Sequence, residues 1–185
     1  MIKRSSPISS FLKEIAIVVI GVLIAVSISN FKEQQDDEAY LEKTLLAIEN
    51  EVKQSEEEVK KALETHWIVI DSLQVLMNDE KESLGELLMR LGGIQAPDIK
   101  NIGLRFFISN KAELLDYQII SELYDIEDYT NSLDEKMNLF MEFVYENINR
   151  NEKDVKLKFV YYLANIVENE KALLELYDKF KNNDK

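Results

Sequence analysis

Glu14–Phe31 reads EIAIVVIGVLIAVSISNF. Ile15–Ser29 holds no charged residue, and only Ser27 and Ser29 in it bear a polar side chain. Fifteen residues rise about 22 Å as a helix; extended from Phe11 to Phe31 the run reaches about 31 Å, the thickness of a bilayer's hydrocarbon core. Three readings compete. A buried soluble helix is disfavoured because apolar side chains ring the whole circumference. A cleaved signal peptide has a basic start, MIKR, and a weak small-x-small site at Ala25-Val26-Ser27. An uncleaved anchor is preferred, since FKEQQDDEAYLEK continues with helix-compatible residues and neither Gly nor Pro. Glu14 is expected in the first helical turn, where the dipole favours a negative charge, with Lys13 snorkelling to the interface.

Flanking charge orients the span. Lys3, Arg4 and Lys13 precede it, whereas Lys32 is followed by Glu33, Asp36, Asp37 and Glu38. The positive side stays cytoplasmic. The expected organisation is therefore a short cytoplasmic tail (1–10), a transmembrane helix (11–31) and an extracytoplasmic domain (32–185), in a bacterial inner membrane. The tail as read leaves no room for a cytoplasmic output domain.

Working outward, the 185 residues include only five Gly and two Pro, and Val22–Leu84 and Leu104–Lys185 contain neither. A sheet protein needs turn residues far more often, so the class is all-α. A net charge of −13 argues against nucleic-acid binding through phosphate neutralisation. It argues equally against the large domain lying on anionic lipid. The absence of Cys excludes disulfides, thiolate nucleophiles and Cys-based zinc sites.

Leu41, Leu45, Ile48, Val52, Ser55, Val59, Ala62, His66, Val69, Leu73 and Leu76 step alternately by four and three, a heptad seam with two polar members. This predicts a helix over about Asp37–Met77. Ser83 and Glu86 have capping-box spacing before a short helix ended by Gly92-Gly93. GGIQAPDIKNIG reads as the one sizeable loop. Asn110 with Glu113 is a cap candidate for a long helix carrying Ile119, Leu123, Ile126, Thr130, Leu133, Met137, Phe140 and Val144. Asn151 is the cap candidate for a last helix through Phe159, Leu163, Ile166, Leu173 and Tyr177. The expected architecture is an N-terminal transmembrane helix followed by an antiparallel three- to four-helix bundle with long helices. Tyr117, Tyr124, Phe140, Phe143, Tyr161, Tyr162 and Phe180 are assigned to its core, and Trp67 to core or helix–helix packing, an exposed Trp suggesting a binding patch instead.

Candidate chemistry is sparse. His66, the only histidine, has no nucleophile-elbow sequence to serve, and Leu63 stands where a Glu-x-x-His metal motif needs its Glu. It reads as a structural, register-setting residue. Gln34–Glu38 and Glu56–Glu58 lack the spaced oxygens and central Gly of a calcium loop and read as solvated helix faces. No catalytic, cofactor-binding or metal residue is assigned. Gly21, Ala25 and Ser29, spaced by four, form a candidate transmembrane-helix interface, because small residues allow close helix approach.

The anchor also resembles that of a family of bacterial, mostly Bacteroidota, single-pass membrane proteins built on a domain of unknown function. The matching positions are Glu14, Ile15, Ile20, Gly21, Ile24, Ala25, Ile28, Asn30 and Phe31. A second match lies in NIGLRFFISNKAELLDYQIISELYDIEDY, Asn101–Tyr129, at Gly103, Ile108, Ser109, Asn110, Leu115, Ile119, Leu123 and Tyr124. Ser27, Ser29 and Phe31 stand where the family often has Gln, Asn and Trp. The resemblance implies topology rather than chemistry. The expected function is a membrane-anchored, non-enzymatic interaction or scaffold module, in contact with lipid through one helix and with a protein partner or a second copy of itself. The alternatives are a sensor-like ligand-binding bundle acting through a separate partner, and a hydrolase with a carboxylate pair in a cleft.

Overall fold

The computed structural model describes residues 7–111 and 114–183, and is all-α, with no strand among them. Five helices follow in order: α1 (Pro7–Val75), α2 (Leu84–Arg90), α3 (Ile102–Lys111), α4 (Tyr117–Asn147) and α5 (Lys153–Asn183). The chain separates into two compact units, Met1–Lys43 and Thr44–Lys185, with the boundary inside α1.

In the first unit α1 opens on Pro7, whose fixed φ suits the first helical position and whose missing N–H would be unpaired there anyway. Helix thus begins two turns before Glu14. That residue therefore lies outside the first turn, and the dipole argument made for it does not apply. Every residue from Phe11 to Asp36 is exposed. Within α1 lies one segment long and apolar enough to cross a membrane, none of it buried. Ser27 Oγ donates to the Leu23 carbonyl at 2.8 Å, so this hydroxyl is satisfied within its own helix.

The second unit holds the core. On α1 the seam from Ile48 to Leu73 is buried at every position, the polar Ser55 and His66 included. Helix α4 buries Leu123, Ile126, Thr130, Leu133, Met137, Phe140 and Val144; α5 buries Phe159, Leu163, Ile166, Leu173, Tyr177 and Phe180. These are the positions that the alternating four-three step selects. Along α4 and α5, Glu122 meets Lys179 (3.4 Å), Lys136 meets Asn169 (3.0 Å), and the Phe140 and Phe159 rings meet edge-on at 4.9 Å. Tyr117, Tyr124 and Tyr161 depart from the core assignment: they are 83%, 47% and 69% exposed. The four-three step places each of them off the buried stripe of its helix, and a phenol, wet at one end, tolerates that position.

Helix ends follow local chemistry in part. Ser83 and Glu86 close the capping box, and bonds from the Ser83 backbone N–H and hydroxyl hold the Glu86 carboxyl below the usual carboxylate range. Gly92 and Gly93 adopt φ of 90° and 81°; Gly92 N bonds Met89 O and Gly93 N bonds Leu88 O, a Schellman ending. The other two cap expectations are corrected. Asn110 lies inside α3, its partner Glu113 falls outside the described residues, and α4 is capped by Asp116, which accepts from Gln118 N at 2.8 Å. The Asn151 side chain donates instead to the Glu80 carbonyl. Helix α3 occupies part of what reads as loop. The Glu51 carboxylate of α1 accepts from Gly103 N (2.9 Å) and Leu104 N (3.4 Å), capping the first turn of α3 from another helix.

Candidate functional site

Two features of the second unit combine polar chemistry with defined geometry: a set of polar side chains buried among α1, α4 and α5, and an open cleft beside α1.

His66 and Glu170 are both fully buried. The imidazole Nδ1 lies 3.0 Å from Oε1 and 3.1 Å from Oε2 of Glu170, and the aligned hydrogen bond is the one to Oε2. Nδ1 donates and the carboxylate accepts, which fixes the ring's orientation. Nε2 has no hydrogen-bond partner among the described residues. A catalytic base needs a reacting group within reach, and a metal ligand needs company. Among the described residues no three His, Asp or Glu side chains converge as a metal set. The pair does what a buried pair does in a register: it matches one position on α1 to one on α5.

About three turns back along α1, Ser55 comes together with Thr130 and Tyr177 as three buried hydroxyls. Ser55 Oγ donates to Glu51 O (2.7 Å) and accepts from Lys100 N (2.8 Å); Thr130 Oγ1 donates to Ile126 O (2.8 Å). The Tyr177 hydroxyl points toward Ser55 and Thr130 without closing an aligned bond to either. Burial pushes its ionisation well above the usual tyrosine range, more than those two hydroxyls pull it down. Glu56 accepts from Lys181 (2.7 Å) and Lys60 (2.6 Å). Burial raises its carboxyl, but these two ammonium groups outweigh burial and hold it below the usual range.

Lys156 is fully buried, and its Nζ donates to the Asp79 carbonyl just past the end of α1. A cation there complements the carbonyl end of the helix dipole. The turn 76–83 and the turn 148–152 are joined further by Leu84 N to Arg150 O and Gly85 N to Ile148 O, each 2.7 Å.

The cleft has a volume of about 400 Å³. One wall is a face of α1: Glu58, Lys61, Ala62 and Thr65, at the i, i+3, i+4, i+7 spacing that aligns side chains on a helix. The other wall is the stretch 91–97. Glu58 and Lys61 pair with each other at 2.8 Å. Glu58 is the only carboxylate among the described residues lining the cleft.

The residues singled out by sequence distribute as follows. Gly21, Ala25 and Ser29 lie exposed on one face of α1 in the first unit, and a Cβ added at Gly21 would meet nothing within 4 Å. Gln34 donates to Glu38 at 2.9 Å within the acidic run, a surface contact of the kind a solvated face makes. Trp67 is not a core residue: it is 40% exposed, on the face of α1 off the buried seam, with Lys171 Nζ of α5 4.7 Å from its ring centroid, a cation–π contact between the two helices. Glu56, read with Glu57 and Glu58 as a solvated face, is corrected: it is buried, because Lys181 of α5 and Lys60 close over its carboxylate. Glu170, Lys156 and Lys181 escaped sequence reasoning. Of these only Glu170 left a signal, a charge lodged between the apolar positions Val167 and Leu173 of α5. The cleft left a different one, the two glycines that end α2. Protein families, curated proteins and solved structures offer this chain no match.

Proposed function

We propose that this chain is a membrane-anchored, non-enzymatic interaction module: one helix in a bacterial inner membrane, the N-terminus inside, and an antiparallel helical bundle outside that engages a protein partner or a second copy through its helix faces. The observation that carries this reading is the exposure of every residue of the charge-free Ile15–Ser29 run, in a helix whose later seam is buried from Ile48 to Leu73. An apolar helix that no protein covers is stable when lipid covers it. Antiparallel packing is supported by the order of the contacts. As numbers rise along α4 (122, 136, 140) they fall along α5 (179, 169, 159), and as they rise along α1 (56, 66) they fall along α5 (181, 170). The family resemblance of Glu14–Phe31 and Asn101–Tyr129 agrees with this topology, and membership in that family is part of the proposal.

A topology reporter tests it. A periplasm-active enzyme fused after Lys185 gives activity, and the mass of the membrane-bound product includes the opening segment. A soluble product starting near Ile28 overturns the anchor. Gly21, Ala25 and Ser29 are proposed as its packing face. Ala25→Cys then forms a disulfide dimer in membranes under mild oxidation and Leu23→Cys, on the far side of the helix, does not; equal dimer from both leaves the stripe without a role.

The sensor-like alternative is favoured by one observation, the cleft beside α1, which is within the size range of small-ligand sites. The hydrolase alternative calls for two converging carboxylates, and Glu58 is the cleft's single acidic residue among those described, already paired with Lys61.

A further inference from the structure

The outer side of the α4–α5 pair carries apolar side chains that the core does not use. Helix α3 meets α4 at Glu127, which pairs with Arg105 at 3.3 Å, and α1 meets α5 at Lys171, which lies over Trp67. Phe143 and Tyr162 each lie nearly half a turn round their helix from these contacts. Their rings meet across α4 and α5 at 5.1 Å, and the Tyr161 ring stands against Tyr162 at 6.3 Å. Leu139 and Leu157 extend the patch, one turn from Phe143 and Tyr161 respectively. Leu139, Leu157 and Tyr161 are 58%, 58% and 69% exposed. Aromatic rings gathered with leucine outside a core are the composition of a protein interface.

The charge around the patch selects what covers it. Glu142 and Glu146 edge it on α4, and Lys153 and Lys158 on α5; all four are exposed and in no ion pair among the described residues. Asp154, an acid on the same turn of α5, is within reach of Arg150. Glu146 is one turn beyond Phe143 and Lys158 one turn before Tyr162, so in the antiparallel order both mark the same end of the patch. A surface acidic along one helix and basic along its neighbour is complementary to itself. A second copy laid face to face, about a two-fold axis parallel to the helices, sets each α4 over the other's α5. We propose that this patch joins two copies of the chain: Leu139 and Phe143 of one against Leu157 and Tyr161 of the other, with Glu146 opposite Lys158, every contact made twice. Two chains carried in one membrane meet at a raised local concentration, which lets a modest patch hold them together. The proposal rests on the interaction-module reading and names its partner.

The test uses the full chain in lipid vesicles, as two populations carrying a fluorescence donor or an acceptor on a C-terminal tag, and reads energy transfer as the lipid is diluted. Wild type should associate, and Tyr161→Asp, at an exposed position, should weaken association at least about tenfold. Glu146→Lys and Lys158→Glu each bring like charges together twice, and each should weaken it about tenfold. Donor-labelled Glu146→Lys mixed with acceptor-labelled Lys158→Glu should regain wild-type transfer, because both pairs re-form with their signs exchanged. Melting should be unchanged in all three variants. A mixture that associates no better than its components overturns the proposal. So does association that ignores all three substitutions, which places the contact elsewhere, as in the anchor. A monomer at every dilution also overturns it and leaves the wider reading to a partner of another kind; capture of a different membrane protein, lost in Tyr161→Asp, would assign the patch to that partner. An inactive topology reporter with the charge-exchanged pairing intact does the reverse.

Discussion

Gly85 is in the first turn of α2, a position where replacing Gly by Ala ordinarily stabilises a helix by roughly 0.5–1 kcal/mol. Here the surroundings reverse the sign. A Cβ on Gly85 would come within 2.8 Å of Ile148 Cγ1 and 3.0 Å of the Ile148 carbonyl oxygen. The side chain can turn away in part, since Ile148 is 36% exposed. The carbonyl cannot, because it accepts the Gly85 N–H at 2.7 Å, and Leu84 N holds Arg150 O alongside it. Relief of the clash therefore stretches two hydrogen bonds that join the two turns. Overpacking of this kind costs about 1–3 kcal/mol, and subtracting the propensity gain leaves Gly85→Ala about 0.5–2 kcal/mol less stable than wild type. Urea unfolding of the full chain in a mild detergent, followed by helical circular dichroism, measures it; the midpoint should fall with the slope unchanged. Pairing Gly85→Ala with Ile148→Ala should recover part of the loss relative to Ile148→Ala alone, because only the side-chain contact is removed. A Gly85→Ala protein as stable as wild type, or more so, would mean that the two turns do not approach as described.

Other outcomes can be checked in the same way. Leu123, fully buried on α4, should cost about 2–5 kcal/mol on truncation to Ala; an unchanged midpoint would put it on the surface. His66→Ala leaves the Glu170 carboxylate buried without its partner and should cost about 3–5 kcal/mol, whereas the pair His66→Met with Glu170→Met should lie near wild type. If the double variant is as damaged as the single, the two residues do not act together. Glu56, held below the usual carboxylate range by Lys181 and Lys60, contributes stability present above the unfolded glutamate value of about pH 4.3 and lost as pH falls through its lower folded value. Glu56→Gln should flatten that acid-side decline in melting temperature, and superimposable profiles would remove Glu56 from the linkage.

What was legible in the sequence was whatever a single helix records about itself. The seam from Ile48 to Leu73 and its counterparts on α4 and α5 repeat every three or four residues because one face is buried, and that period survives in the letters. The Ser83–Glu86 cap and the Gly92-Gly93 ending were legible because their partners lie within six residues. Capping of α3 by Glu51 was not, since the two ends of that contact are 52 positions apart and a glycine follows the first residue of the helix. The Asn110 and Asn151 expectations failed for a related reason: an Asn with cap-like spacing is common, and which oxygen or nitrogen it meets depends on chain arriving from elsewhere. His66 was placed correctly on the buried seam. Its partner Glu170 was beyond reach, because a lone acidic residue on an amphipathic helix looks alike whether it faces water or an imidazole.

The contacts that complete α1 come late in the chain. His66 waits for Glu170, Glu56 for Lys181, and the Asp79 carbonyl for Lys156, separations of 104, 125 and 77 residues. During synthesis, N-terminal segments emerge first, so the apolar Ile15–Ser29 run is available to a membrane long before α5 exists. For that interval the Ile48–Leu73 seam, with a serine and a histidine lodged in it, lacks the helix that carries these partners. A ribosome that stops short of α5 would leave a helix with an open apolar stripe, a substrate for proteases rather than a smaller version of the fold.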